Sequence, residues 1–314
     1  MDIDRFLADN RPAWDRLDAL TKRRRLDASE LEELVVLYQR TSTHLSYART
    51  YFADPALVAQ LSGLVGRAAS VVYGAPQRTV RAVGRFFAET FPGALWRIRW
   101  FVAVATGLSV VTALAVALWI GNSTAALDAS APAAVREAYV QQDFEAYYSA
   151  EPSAQFASKV FTNNLRVGVL AFSAGILVCV VTGFILVQNA ANVGFAAGLF
   201  SVAGALPKFW GLILPHGLLE LTAVFIAGAA GLKLGWTVID PGDRRRGDAL
   251  VEEGRSAMAV VLGLALVFAV AGTIEGFVTG SALPTAVRVG IGVAAELAFL
   301  VYAATLGPRA TRAA

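Results

Sequence analysis

Charge is scarce in this chain: Asp, Glu, Lys and Arg make up only 16% of its 314 residues, while 56% are hydrophobic. A soluble globular domain carries about 25% charged residues. Water is therefore not the solvent for most of this sequence, and a mean hydropathy of +0.55 points to the bilayer. Cysteine is nearly absent. The single Cys179 lies in an apolar run, which excludes an intrachain disulfide and a cysteine-based metal cage and leaves it to act as a small hydrophobic side chain. Histidine occurs twice, as His44 and His216. Signatures of a phosphate loop, a dinucleotide site and a Ser-His-Asp triad are missing, so no catalytic residue, cofactor or nucleic-acid partner is expected. The opening Met1-Asp2-Ile3-Asp4 has no basic segment followed by an apolar core. A cleavable signal peptide is not expected, and the first apolar span serves as the membrane signal.

What the sequence does have is long apolar runs. Residues 101–120 carry no charge and are long enough to cross a hydrocarbon core of about 30 Å. Further runs occupy 167–187, 193–206, 211–236, 257–280 and 285–306. The run 193–206 amounts to about 21 Å of helix. It crosses only if the membrane thins or the helix continues past Pro207; otherwise it is a half-helix. Six crossings bring the basic groups to one side: fifteen Lys/Arg in the first hundred residues, Arg244-Arg245-Arg246 with Arg255, and Arg309 with Arg312. Segment 121–162, with two basic and five acidic residues (2 − 5 = −3), falls on the other side as an external acidic loop. The positive-inside rule then assigns both termini to the cytoplasm, with 309–314 as a cytoplasmic tail.

Ahead of the spans, residues 1–75 read as a cytoplasmic helical domain. Asp27 with Glu30, or Ser29 with Glu32, makes a capping box. A helical stripe follows through Leu31, Leu34, Val35, Tyr38, Ser42 and Leu45 toward Tyr51, and a second runs through Leu57, Leu61, Leu64, Val65 and Ala68 to Gly74-Ala75-Pro76. His44 reads as a packing or surface histidine. Residues 76–100 form an amphipathic interfacial helix, with Arg78, Arg81 and Arg85 on one stripe and Val80, Val83, Phe87 and Phe91 on another. It leads into Trp96-Arg97-Ile98-Arg99-Trp100, an interfacial anchor against membrane lipid. The expected fold is all-α: a polytopic transmembrane bundle of about six spans over 101–308, preceded by the cytoplasmic domain and the interfacial helix.

The polar residues inside the apolar runs are the candidate site. His216 and Glu220 stand one helical turn apart after Pro215, which starts or kinks the helix. Glu275 and Glu296 lie in later runs. An unpaired charge in a span costs about 2.5–3.5 kcal/mol on insertion scales, so these groups should face one another. On six spans, Asn163, Asn164, Arg166, His216, Glu220, Glu275, Arg288 and Glu296 come from four helices but share one leaflet, which predicts a paired network such as Glu220 or Glu275 with Arg166 or Arg288. Small residues mark helix contacts: Gly194 with Gly198, Gly231 with Gly235, and Gly272, Gly276 and Gly280 in one stripe. The stripe serves packing within the subunit or a homo-oligomer.

Five stretches carry a family resemblance: Asn163-Asn164-Leu165-Arg166-Val167; Asn189 near Asn192 at the inner end of the second span; Leu214-Pro215-His216-Gly217-Leu218-Leu219-Glu220-Leu221; Phe225-Ile226-Ala227-Gly228-Ala229-Ala230-Gly231-Leu232, which adds Gly228 to the packing glycines; and Ile274-Glu275-Gly276-Phe277-Val278-Thr279. Together with Trp14, Leu17, the helix at 31–40 and Tyr73, they resemble the stage II sporulation protein M family of integral membrane proteins. The resemblance implies a non-enzymatic scaffold or assembly factor of the cytoplasmic (bacterial inner) membrane. Its partners would be envelope proteins: cell-wall hydrolases in endospore formers, an AAA-type ATPase and small membrane proteins elsewhere. The residues themselves leave a transporter or channel using the His/Glu/Arg network open. An intramembrane metalloenzyme is the weakest reading, because a catalytic zinc site normally takes three protein ligands and only one histidine lies in a span; no metal is expected.

Overall fold

A computed structural model describes residues 3–23, 26–52, 54–72, 79–149, 152–177 and 179–313. The described residues form helices and turns without strands, and the chain divides into two units, Met1–Gly84 and Arg85–Ala314.

The first unit is built from α1 (Ile3–Thr21), α2 (Ala28–Tyr51) and α3 (Pro55–Val72). The capping box that starts α2 is Asp27 with Glu30: the Glu30 backbone N–H donates to the Asp27 carboxylate, and the Asp27 N–H donates to the Glu30 carboxylate. Phe6, Trp14, Leu17 and Leu20 pack against Leu34, Leu45 and Ala48 and against Leu57, Leu61, Leu64 and Ala68. Leu31 of the predicted stripe is exposed, and Thr41 is buried instead. The Gly74-Ala75-Pro76 terminus, Tyr73 and Arg78 lie outside the described residues.

The second unit begins within a helical segment made of α4 (Thr79–Arg85), a wide π turn (Phe86–Thr90) and α5 (Phe91–Arg97). In the segment expected to be interfacial, Phe91, Pro92, Gly93, Ala94 and Leu95 are buried within the unit, whereas Val80 and Val83 are exposed. A Cβ added to Gly263 would lie 2.2 Å from the Phe91 ring, and one added to Gly93 would lie 3.2 Å from Ala310. Trp100 remains exposed, and Arg99 stacks near the rings of Trp96 and Trp100.

Then come α6 (Arg99–Asn122), the short helices α7 (Thr124–Ser130), α8 (Ala133–Ala138) and α9 (Phe144–Ala146), and the long helices α10 (Ser153–Ser173), α11 (Val180–Val202), α12 (Leu206–Ile239), α13 (Arg246–Ile274) and α14 (Thr285–Ala313). Helix α13 continues as a π turn over Glu275–Thr279. Helix α12 is the axis, buried along most of its length, whereas α6 and α14 expose Val104, Leu108, Val111, Leu114 and Leu118, and Val293, Leu297, Leu300 and Val301. Outward-facing apolar rows of this size suit lipid, not water.

Among the described residues, six helices have the length and hydropathy to cross a membrane: Pro55–Val72, Arg99–Asn122, Val180–Val202, Leu206–Ile239, Arg246–Thr279 and Thr285–Arg312. The first belongs to the helical unit, where one face is committed to its core. The bundle's remaining long helix is the more polar α10, and it packs against α12 and α13.

Three expectations from the sequence differ from the structure. The run 167–187 is not one span, because the chain turns between α10 and α11, with Cys179 in the left-handed region at φ +66°. Consequently 193–206 is not a half-helix: residues 193–202 are the end of the 23-residue α11. Asn189 and Asn192 are not at an inner end but along α11, where Asn189 Nδ2 donates to the Ile185 carbonyl and Asn192 is exposed. The turn is held by backbone contact. A Cβ on Gly175 would lie 2.3 Å from the Gly231 carbonyl oxygen, one on Gly235 would lie 2.5 Å from Cys179 N, and Thr182 Oγ1 donates to the Ala171 carbonyl across the turn at 2.8 Å.

Segment 121–162 is also more than a loop. Val140 and Phe144 pack with Ile120, Leu199, Phe200 and Phe209 as a cap over one end of the bundle, pinned by Lys208 to Glu145 at 2.9 Å.

Candidate functional site

The site lies beneath that cap. Helix α12 starts at Leu206 with Pro207 in its first turn, so Pro215 is interior to the helix and does not begin it. A proline here removes one backbone N–H from the helix ladder. Helix α14 passes close by: a Cβ on Gly292 would stand 2.3 Å from the Pro215 carbonyl oxygen. The next residue, His216, and Glu220 one turn further on project from α12 toward the end of α13. There the π turn places Glu275 and Thr279 on the same side of the backbone, a geometry often found at functional sites.

His216 and Glu275 are 5% and 4% exposed. His216 Nδ1 lies 3.1 Å from Thr279 Oγ1, and Nε2 lies 3.7 Å from Glu275 Oε1. Glu220 completes a group in which one ligand-capable atom from each of His216, Glu220 and Glu275 lies within 4.8 Å of the others. The Asn164 amide donates to the Glu220 carboxylate. From the cap, the Tyr148 ring stands 5.8 Å from the His216 ring. Burial pushes the Tyr148 phenol above its ordinary value, with the Glu275 and Glu220 carboxylates adding to the shift, so it keeps its proton.

The predicted network therefore assembles only in part. Asn164 joins because it falls on the buried stripe of α10, Phe156, Val160, Asn164, Gly168 and Ala171, whereas Asn163 and Arg166 fall off that stripe and are exposed. These two lie on a shallow, open surface groove with Gln155, Ser158, Lys159 and Thr162, and neither Glu220 nor Glu275 contributes to its wall. Among the described residues Arg288 does not pair with a carboxylate. Its guanidinium donates to the Thr279 carbonyl and to Thr285 Oγ1, capping the π turn. Glu296 is separate and accepts from Thr222 Oγ1 at 2.9 Å. Thr279 and Tyr148 were not among the expected site residues. Thr279 had a legible signal, four residues after Glu275; Tyr148 had none, since a cap over the bundle is not written in segment 121–162.

The packing glycines lie where helices touch, most of them against a neighbouring backbone and Gly228 against the Leu186 side chain. Added Cβ atoms would meet Ala113 from Gly194, Ala117 and Ile120 from Gly198, Leu186 from Gly228, Ala171 from Gly231, Ala157 from Gly272, Ser153 from Gly276 and Tyr148 from Gly280. Gly235 meets the turn at Cys179, as described above.

A multi-pass helical membrane protein enclosing a buried imidazole–carboxylate cluster is the class these features define. The family model of Stage II sporulation protein M matches residues 99–280, more than half of the chain, and the chain belongs to that family. Residues 4–74 match a domain of unknown function, DUF8413. An uncharacterised protein of Methanocaldococcus jannaschii is 36% identical over 89 residues, which is 28% of this chain and 50% of that protein. The chain thus spans half the length of the curated relative it matches. No solved structure matches.

Proposed function

We propose that this protein is a non-enzymatic scaffold in an envelope or cell-wall remodelling complex of the cytoplasmic membrane, with both termini on the cytoplasmic side. The observation that carries this reading is the division of labour between two separately cored units. A bundle whose helices meet at glycine-to-backbone contacts is a rigid membrane platform, and the helical unit offers a surface for a soluble partner. Orientation follows the basic end of the bundle, which carries Arg97, Arg99, Arg244, Arg245, Arg246 and Arg255. The partners that fit are an AAA-type ATPase or cell-wall hydrolases.

Crosslinking in the native host, followed by purification of the full chain and of a variant lacking residues 1–75, tests the proposal. The full chain should bring down an ATPase or hydrolase, and the truncated chain should insert but lose it. Retention by the truncated chain would refute the docking role. Solute flux in proteoliposomes that depends on Glu220 or Glu275 would replace the scaffold with a transporter.

A further inference from the structure

The His216–Glu275 separation fits neither a hydrogen bond nor an unrelated pair. If His216 Nδ1–H donates to Thr279 Oγ1, the Nε2 lone pair faces Glu275 Oε1 across 3.7 Å, leaving two acceptors with nothing between them. If Nε2 carries the hydrogen, 3.7 Å exceeds the reach of a hydrogen bond, which ends near 3.2 Å for about every N–H···O pair. Two ligands each about 2.1 Å from one metal ion stand roughly 3.4 Å apart at a tetrahedral angle, close to the distance found.

Charge argues the same way. Among the described residues no Lys or Arg forms an ion pair with Glu220 or Glu275, and Arg288 is turned to the Thr279 carbonyl. Two carboxylates in a dry interior either take up protons or draw positive charge from somewhere, and a metal ion supplies it. An independent observation concerns the cluster itself: Glu275, only 4% exposed, has an Oε2 atom shielded from solvent that finds no hydrogen-bond partner among the described residues. The surroundings match those of a metal site one shell out. Thr279 fixes the imidazole that would bind through Nε2, and the Asn164 amide orients Glu220.

We propose that His216, Glu220 and Glu275 bind one divalent transition-metal ion that ties α12 to the end of α13. One imidazole with two carboxylates is the donor set of zinc, manganese or ferrous iron; calcium and magnesium prefer oxygen alone. The ion neutralises both carboxylates and uses the lone pair left facing Glu275. It holds the bundle and is independent of the partner proposed above.

The full chain, tag removed and treated with chelator, is loaded with Zn²⁺ or Co²⁺. Elemental analysis should find about one ion per chain, and loading should raise the thermal unfolding temperature. Glu275→Gln and His216→Ala should abolish binding, Asn164→Ala should weaken it by about tenfold to a hundredfold, and His44→Gln should leave it unchanged. Should the site variants fail to fold, the His44→Gln protein still decides the matter, because His216 is then its only imidazole. Zinc X-ray absorption must show one imidazole among oxygen ligands. An empty protein, binding unchanged in Glu275→Gln, or a zinc shell lacking imidazole would each overturn the site.

Discussion

Gly175 and Gly231 meet backbone against backbone: a methyl group built on Gly175 would lie 2.3 Å from the Gly231 carbonyl oxygen. This contact seats the turn between α10 and α11 on the central helix, where neither side can yield without moving a whole element.

Gly231→Ala and Gly175→Ala should therefore each destabilise the bundle by about 1–3 kcal/mol, the usual cost of overpacking. Gly183→Ala is the matched control, since a Cβ at Gly183 meets nothing within 4 Å. Alanine there should be neutral or stabilise by about 0.5–1 kcal/mol through helix propensity. Thermal unfolding in detergent distinguishes these outcomes, and equal effects at positions 183 and 231 would contradict the packing.

Glu220 hydrogen-bonds a neutral amide, not a guanidinium. Removing it with Glu220→Ala strands the Asn164 amide, at a cost of about 1–3 kcal/mol. That is less than the roughly 3–5 kcal/mol for breaking a buried ion pair. Glu220→Gln, which keeps an acceptor oxygen for Asn164, should cost less than Glu220→Ala in metal-free protein. Denaturation measured with both variants checks the order.

In the helical unit, the Trp14 indole N–H donates to His44 Nδ1 at 3.0 Å. This bond requires a neutral ring on that nitrogen, and burial followed by the Arg40 charge holds His44 below its ordinary value of 6.5. The unfolded chain therefore takes up a proton near pH 6.5 before the folded one does. The stability linked to His44 is complete above that pH and is lost as pH falls toward the lowered value. Acid titration should unfold this unit earlier than it unfolds a His44→Gln variant relative to each protein's stability at pH 8, and tryptophan emission should report it. A parallel pH dependence in the variant would remove His44 as the cause.

Six crossings place Gln142 and Arg245 on opposite sides of the membrane, and both side chains are exposed. After Cys179→Ser, single cysteines at these positions should label from outside and from inside respectively. Labelling of both from one side would invalidate the orientation.

Much of the fold is legible in composition and periodicity. An apolar run long enough to span the hydrocarbon must be helical, because only intrahelical bonding satisfies its backbone there. Residues 101–120, 211–236 and 285–306 accordingly fall within α6, α12 and α14, and 257–280 falls within the α13 segment except for Gly280. The glycine spacings likewise mark where backbones touch. Sequence also determined that His216 and Glu220 share a face of one helix, since four residues are one turn.

Tertiary structure decided the rest. The break between α10 and α11 falls in uniformly apolar sequence, where hydropathy has no contrast to register it; Gly231 and Gly235 on another helix select the place. The partner of Glu220 turned on the rotation of α10, which buries Asn164 and exposes Arg166. A charge count across spans holds no information about rotation. Glu275 reaches His216 because α13 widens into a π turn whose end carbonyl is capped by Arg288, a long-range interaction between helices. Local spacing fixes which side chains share a helix face; only packing fixes which faces meet.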